Sequence, residues 1–233
     1  MKRLSLIALF LIFGLAASAQ EFTLYGEGIM PTGRYGQGIL LRQGGTYHPI
    51  CAITDSTSNI GAATYGWGAG FQFAFPLTQE GFDLVLDAGF RMNWLNGKVQ
   101  DYFDYYAANH NTEGITNAPH YYNIPLMAGP RFTIEPFDNF KFYLNFLLGI
   151  DLRIISDAIY SPDYHVDYYS TGALALRGAA GFLLFDHLRL EANWSWMGDN
   201  MVKARTYDGR FYNKVNFGHL ETMQLGVRLG YTF

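Results

Sequence analysis

Residues 221–233 read Glu-Thr-Met-Gln-Leu-Gly-Val-Arg-Leu-Gly-Tyr-Thr-Phe and alternate between two kinds of side chain. The odd positions from Met223 to Phe233 are apolar, whereas the even positions from Thr222 to Thr232 are polar or glycine. A β-strand directs successive side chains to opposite faces of its sheet. The segment is therefore predicted to be a strand with one apolar face and one polar face, and the polar face carries Arg228.

The same alternation recurs along the rest of the chain. It predicts further strands near Phe22–Met30, Thr64–Phe75, Phe82–Trp94, His120–Glu135, Phe140–Ile154, Thr171–Phe185 and Leu188–Met197. Short connections near Pro76–Gly81, Glu135–Asn139 and Phe185–His187 alternate with long ones near Pro31–Ala63, Leu95–Pro119, Ile155–Ser170 and Gly198–Gly218. Strands of this length, with short turns at one end and long loops at the other, are typical of outer-membrane barrels.

The predicted fold class is all-β: an eight-stranded antiparallel up-and-down transmembrane β-barrel with short periplasmic turns and long extracellular loops. A soluble barrel of the lipocalin kind is the alternative, because the same alternation would fit an apolar interior and a polar exterior. Strands longer than the ~10 residues that a tilted span needs favour the transmembrane form.

The N-terminal residues predict export. Lys2 and Arg3 precede an apolar run from Leu4 to Leu15, which is shorter than the ~20 residues of a spanning helix. Ala17-Ser18-Ala19 is a small-residue cleavage site. We expect residues 1–19 to be a signal peptide, residues 20–233 to be the barrel domain, and the cell outer membrane to be the destination. A net charge of -4 gives no reason to expect a nucleic-acid partner.

The polar faces of the predicted strands carry charges of both signs. An eight-stranded barrel is only wide enough to be filled by side chains, and buried charges persist when they are paired. We therefore expect an ionic network that plugs the interior, with a narrow ion-selective channel as the alternative. Its members would be Glu27, Asp83, Asp87, Arg91, Arg131, Glu135, Asp151, Arg153, Arg177, Arg189, Glu191 and Arg228.

Two segments resemble a known family. Residues 121–126, Tyr-Tyr-Asn-Ile-Pro-Leu, and residues 71–77, Phe-Gln-Phe-Ala-Phe-Pro-Leu, are similar to strands of the PorT-like outer-membrane β-barrel domain proteins of Bacteroidota, which are small OmpA/OmpX-like barrels. The resemblance implies the barrel fold for the whole mature chain and admits an accessory role in secretion machinery. Ala128-Gly129-Pro130 departs from the family's usual unbroken strand pattern.

The end of the chain also resembles a family feature. Val227, Leu229, Tyr231 and Phe233 are similar to the C-terminal assembly signal of bacterial outer-membrane barrels. The resemblance implies that the barrel assembly machinery is a partner through this strand, and that outer-membrane lipid surrounds the folded protein.

No spacing of hydroxyl and histidine residues matches a lipase signature, so we expect no catalytic residue, no cofactor and no metal. A lipid-modifying enzyme is the alternative, since His165 and Ser170 lie close in sequence to Asp163 and Asp167. Asp163, His165 and Asp167 would also share one face of an extended segment and could bind a divalent cation. A solvated loop is the simpler interpretation.

Tyrosines are frequent in the predicted extracellular loops. Tyrosine provides contact area at low entropic cost, and it also forms belts at the membrane boundary. Tyr121, Tyr122, Trp94, Trp194 and Trp196 are predicted to belong to such a belt. The predicted contacts to an envelope protein or glycan are Tyr102, Tyr105, Tyr106, Tyr160, Tyr164, Tyr168 and Tyr169. The expected role is non-enzymatic: structural, adhesive or accessory in the cell envelope.

Overall fold

The computed structural model describes residues 21–36, 41–42, 45–46, 61–77, 81–97, 119–161, 164–207 and 211–233. The predicted signal peptide and its cleavage site lie outside these residues. The barrel strands are β1 (Glu21–Thr32), β2 (Ala63–Pro76), β3 (Phe82–Leu95), β4 (Tyr121–Phe137), β5 (Phe140–Ile155), β6 (Thr171–Leu184), β7 (Leu188–Tyr207) and β8 (Tyr212–Thr232).

The eight strands form a closed barrel. Each strand pairs antiparallel with its neighbour in the chain, and β8 returns to β1 in a register that runs from Thr23 opposite Thr232 to Thr32 opposite Met223. Closure matters because lipid cannot satisfy the backbone groups of an open sheet edge. The predicted fold class is confirmed.

The bounds of the first six strands agree with the sequence pattern to within two residues, but β7 and β8 are much longer than predicted. The prediction ended β7 at Met197 and treated 198–218 as a loop, whereas the strands continue to Tyr207 and resume at Tyr212. That prediction was wrong because the pairing shifts register twice, between Trp196 and Asp199 and between Met201 and Lys203. Gly198 adopts a positive φ of 71° at the first shift, as β-bulges often require. Each shift interrupts the period-2 pattern.

A hairpin extends this protruding part of β7. Its strands, Ala158–Ser161 and Tyr164–Tyr168, pair with each other, and the second pairs with β7 from Tyr168 opposite Ala204 to His165 opposite Tyr207. The hairpin and the ends of β7 and β8 make one sheet beyond the barrel wall, which we call the extracellular sheet. It replaces much of the predicted loop from Ile155 to Ser170.

The two faces of the barrel wall differ sharply in polarity. Its outward positions expose large apolar side chains, among them Phe146, Leu148, Ile150 and Leu174. The alternation of β4 passes through Ala128-Gly129-Pro130 without a register shift, and Pro130 takes an outward position opposite Leu84.

A four-residue helical turn, α1 (Gly33–Gly36), follows β1, and two short strands, Leu41–Arg42 and Gly45–Thr46, pair within the same connection. Among the described residues, no helix is both long enough and apolar enough to cross a membrane.

Candidate functional site

The periplasmic end of the barrel interior is organised by Glu21. Its carboxylate pairs with Arg131 at 2.9 Å and with Arg189 at 2.7 Å. The two guanidinium groups lie on the ring of Tyr143, with their central carbons 5.0 and 4.8 Å from its centroid. Gly181, in the adjacent strand, leaves the space that the Tyr143 ring occupies. Charge pairing and cation–π contacts therefore hold this level together.

Asp87 is the acceptor at the middle level. It is completely buried, and it accepts hydrogen bonds from Arg177 at 2.6 Å, Arg228 at 2.8 Å and Gln72 at 2.7 Å. The Tyr25 hydroxyl donates to it at 3.2 Å. Two guanidinium groups thus share one carboxylate that has been removed from water, which is the arrangement in which a buried charge can be stable.

Glu27 serves the level above. Both of its oxygens accept from Arg91, at 2.7 Å from Nη2 and 3.1 Å from Nε, which is a bidentate pair. Asn193 donates to the same carboxylate at 2.8 Å, and Arg228 lies 3.4 Å away, which links this level to Asp87. Gln224 accepts from Arg91 at 2.9 Å.

Side chains also close the extracellular end of the interior. Tyr35 of α1 is fully buried and donates to Asn93 at 3.2 Å. The Tyr121 ring lies 5.3 Å from the Tyr35 ring, and its hydroxyl donates to the carbonyl of Gly61 at 2.6 Å. Tyr121 therefore points inward and does not belong to the aromatic belt, contrary to the prediction, because it lies on the interior face of β4.

The interior set predicted from the sequence is largely brought together. Arg91, Arg131 and Arg153 are each 1% exposed, so the lumen is filled at successive levels rather than open to water. The predicted residues that lie buried on the inner face are Glu27, Asp87, Arg91, Arg131, Asp151, Arg153, Arg177, Arg189, Glu191 and Arg228.

Three predicted members depart from this scheme. Glu135 is exposed, because β4 runs beyond the barrel there and its pairing shifts between Ile134 and Phe137. Asp83 is half-buried near the periplasmic rim and makes no salt bridge with any other residue that the structure describes. Asp151 is buried, but neither carboxylate oxygen accepts a hydrogen bond from a residue in the described ranges, and a guanidinium nitrogen of Arg153 is 4.0 Å away.

Sequence reasoning missed several members of the network. Glu21 was overlooked because it lies one residue before the predicted start of β1. The amides that complete the network occupy inward positions in the same alternation; Asn145 and Asn193 were predicted to face inward, but the predicted network was restricted to charged residues and so omitted Gln72, Asn145, Asn193 and Gln224. Their spacing was the signal that could have found them.

The extracellular sheet presents an outward face with an ordered set of side chains. His165, Tyr207 and Tyr212 form a row across three strands, with ring centroids 5.0 Å apart for the first pair and 4.9 Å apart for the second. The next row contains Asp167, Arg205 and Lys214.

Arg205 links the two rows. Its Nε donates to Asp167 at 2.8 Å, and its guanidinium carbon lies 4.8 Å from the centroid of the Tyr212 ring. Lys203 is exposed in the row after. We call His165, Tyr207, Tyr212, Lys203, Arg205 and Lys214 together the lateral face.

The opposite face of the extracellular sheet is a small core. Val166, Val202 and Ala204 are at most 2% exposed. Tyr168 is also buried on this side, so its predicted role as a partner contact is wrong: in an extended strand it must face opposite to Asp167. The sheet therefore has a fixed inner surface against which the lateral face is held.

The other predicted contact tyrosines are distributed differently. Tyr169 is 43% exposed beside Lys203, whose carbonyl accepts its backbone N–H at 2.9 Å. The backbones of Tyr160 and Tyr164 lie in the hairpin. Tyr102, Tyr105 and Tyr106 lie outside the described residues.

The residues considered for lipid-modifying catalysis and for binding a divalent cation lie on or near the lateral face, as far as the structure describes them. His165 Nε2 is 3.4 Å from Asp167, which is also the acceptor of Arg205, and Ser170 is exposed after the hairpin. Asp163 lies outside the described residues. Within the part of the chain that the structure describes, no group of three acidic, histidine or cysteine residues is arranged to bind a metal.

The four residues proposed as an assembly signal lie on the outward stripe of β8, with Phe233 directly after the strand. Val227, Leu229, Tyr231 and Phe233 are 49–66% exposed. They face the same side as the lipid-facing residues of the neighbouring strands, and their role in assembly stays a prediction.

Comparison with known proteins identifies the type of barrel. No protein-family model matches the chain, and no curated protein is similar to it in sequence. Among solved structures, the outer membrane protein OprG from Pseudomonas aeruginosa is similar over 93% of this chain and 97% of that chain, with 14% identity and a TM-score of 0.50.

Two further solved structures have lower scores. They are the outer membrane protein AlkL (11% identity, TM-score 0.46, 93% of this chain and 90% of that chain) and Neisserial surface protein A (8% identity, TM-score 0.42, 91% and 95%). At such identities a likeness carries only the fold. With the closed eight-stranded pairing and the exposed apolar wall, the likeness to OprG shows that this chain has the fold of a small outer-membrane β-barrel.

Proposed function

We propose that this protein is a non-enzymatic outer-membrane barrel that displays a recognition surface on the outside of the cell. The observation that supports this proposal is the contrast between two parts of the molecule. The lumen is filled with paired side chains, whereas the sheet beyond the wall exposes an ordered set of side chains. A filled lumen leaves the barrel as an anchor, and the extracellular sheet then supplies the contact surface.

The location in the outer membrane is supported by the distribution of polarity. The wall exposes apolar side chains around its circumference, and the charges are inside. The absence of free backbone edges within the wall suits hydrocarbon. We further propose that the chain is of the PorT-like lineage, which would admit an accessory role in secretion. The support for this is the resemblance of residues 71–77 and 121–126 to strands of that family.

Site-directed labelling tests the location and the orientation. In a Cys51→Ala background, Phe211→Cys near the outer end of the β7–β8 hairpin should react with a membrane-impermeant maleimide on intact cells. Asp186→Cys in the β6–β7 turn should react only after the outer membrane is permeabilised. Labelling in the reverse order would contradict the proposed orientation, and labelling of both positions on intact cells would contradict insertion.

Deletion variants test recognition. Removing residues 158–169, or Tyr102–His110 in a second variant, should leave the folded barrel intact, as judged by heat-modifiable migration on a gel. Binding by the purified protein in lipid nanodiscs to an array of envelope glycans and proteins should be lost in at least one of the two variants. If the full-length protein binds nothing on the array, or both variants bind as it does, the recognition role is wrong.

A further inference from the structure

The lateral face continues the outward face of the barrel wall. In β7 the outward side chains of the wall, Trp194 and Trp196, are followed beyond the bulge by the outward Lys203, Arg205 and Tyr207. The face that contacts lipid lower down therefore continues upward as the lateral face. At about 3.3 Å per residue and a tilt of about 40°, its rows lie about 18–28 Å above Trp196.

The composition of the lateral face combines flat aromatic groups with positive charge. Each row crosses three strands and so spans about 10 Å, and the four residue steps from Lys203 to Tyr207 span about 13 Å along the strand, which is wide enough for a short oligosaccharide. Tyr207, Tyr212 and His165 provide the stacking surface, and Tyr212 is 55% exposed. Tyrosine of this kind presents both an apolar ring and a hydroxyl to a polar ligand.

The cations select the charge of the ligand. Lys203, Arg205 and Lys214 share this face with two acids among the described residues: Asp167, which accepts from Arg205 at 2.8 Å, and the exposed Asp157, which the hairpin register places beside Asp167. Two other acids on the outward side lie closer to the membrane and have protein partners of their own. Glu221 accepts from Trp196 Nε1 at 2.9 Å, and Asp199 is 3.5 Å from His219. Among the described residues of this face the three cations outnumber the two acids, whereas the whole chain has a net charge of -4.

We propose that the lateral face binds the phosphorylated sugar headgroup of a glycolipid of the surrounding outer leaflet. This inference rests on the proposed function and names its ligand class. Arg205 and the two lysines bind the phosphates, and the aromatic row stacks on the sugar rings. A headgroup that rises from a neighbouring lipid meets this face without leaving the leaflet, so its effective concentration is high. A soluble glycan has no such advantage.

The binding experiment uses the full mature protein in phosphatidylcholine nanodiscs to which lipopolysaccharide with a phosphorylated core is added. Lipopolysaccharide retained per barrel is measured by native mass spectrometry. The triple variant Lys203→Gln/Arg205→Gln/Lys214→Gln should retain at least fivefold less. Lys141→Gln, a matched removal of a cation at the periplasmic rim, should retain the same amount as the unmodified protein.

Three further arms separate the components of the site. Tyr212→Ser should reduce retention at least twofold without changing heat-modifiable migration. The unmodified protein should retain little dephosphorylated lipopolysaccharide. The triple variant should retain the same small amount of this lipid, because the phosphates that its cations would bind are absent. The free phosphorylated core oligosaccharide should bind at least tenfold more weakly than the lipid-linked form.

Defined outcomes overturn the inference. If the triple variant retained as much lipopolysaccharide as the unmodified protein, the proposed cationic site would be wrong. If Tyr212→Ser retained as much, the proposed sugar contact would be wrong. Equal affinity for the free oligosaccharide would point to a soluble glycan instead of a lipid. Surface labelling at Phe211→Cys reports insertion independently, so normal labelling with no lipopolysaccharide bound would contradict this inference alone.

Discussion

At the scale of single residues, the interior contains carboxylates that accept hydrogen bonds from guanidinium groups and one, Asp151, whose nearest guanidinium group, on Arg153, is 4.0 Å away. Asp87 and Glu27 each hold two arginines within hydrogen-bond or ion-pair distance. Asp151 is equally buried but accepts no hydrogen bond from any residue that the structure describes. Removal of one partner from a buried pair leaves the other charge uncompensated, and the expected effects on stability follow from this difference.

Asp87→Asn should destabilise the folded barrel by about 3 kcal/mol or more, because the buried Arg177 and Arg228 lose the charge that balances them. Unfolding by guanidinium in lipid vesicles measures the change. Asp83→Asn is the matched control on the same strand, and it should change the free energy of unfolding by no more than about 0.5 kcal/mol because Asp83 is half-buried and makes no salt bridge among the described residues. Equal losses in both variants would contradict the assignment of Asp87 as the central acceptor.

Asp151→Asn should leave stability unchanged or raise it by about 1–3 kcal/mol, in contrast to the same substitution at Asp87. A buried carboxylate without a hydrogen bond costs free energy, and the amide removes the charge at nearly the same volume. Arg153 lies 4.0 Å away and keeps its hydrogen bonds to Asn123 and to the Leu220 carbonyl. The same unfolding assay measures it. A loss of more than about 2 kcal/mol would mean that Asp151 has a partner in the folded protein and that the prediction is wrong.

At the scale of the elements, alternation alone was sufficient to predict eight strands and the inward arginines. Residues 82–94 and 140–154 show why, since each is uninterrupted and faces lipid on one side and the lumen on the other. The extensions of β7 and β8 could not be predicted in the same way. Gly198 and the two register shifts change which face each residue occupies, and that information is contained in the pairing and not in the period.

The candidate site was predictable only in part for the same reason. The tyrosines of the predicted loops are a recognisable group in the sequence, but Tyr168 faces inward, and Tyr207 and Tyr212 belong to that group without being among the predicted contacts. Their alignment with His165 depends on which residues of three strands lie opposite one another. Register between strands distant in sequence is set by the whole barrel, so a local pattern does not contain it.

The depth of a wall residue should determine the cost of a charge placed on it. Leu148 lies near the middle of β5 on the outward face and is 52% exposed, whereas Phe137 lies at the periplasmic end of β4. Leu148→Arg should cost about 2–4 kcal/mol and Phe137→Arg about 0–1 kcal/mol, since the cost of a charge falls from the bilayer centre to the interface. Reversible unfolding in vesicles compares the two variants. Equal costs would contradict the assignment of β5 as a membrane-crossing strand.

At the scale of the whole molecule, three features act together. The wall closes on itself, the lumen is filled from Glu21 at one end to Tyr35 at the other, and the extracellular sheet continues from the wall. A barrel with a filled lumen can still fix the position of a surface outside it. On the proposed function, we therefore expect specificity to reside in the extracellular sheet and stability to depend on the ionic interior.

The filled lumen makes a prediction about permeability. The purified protein in planar bilayers should show no stepwise ion conductance, because Arg91, Arg131 and Arg153 block the interior at three levels and are all but inaccessible to water. A double variant, Arg131→Ala/Arg189→Ala, empties the periplasmic level and leaves the Glu27 and Asp87 levels in place, so it should remain non-conducting. If the unmodified protein conducts, the narrow-channel alternative is correct. If only the double variant conducts, the upper levels do not seal the barrel, and the blocking role belongs to the Glu21 level alone.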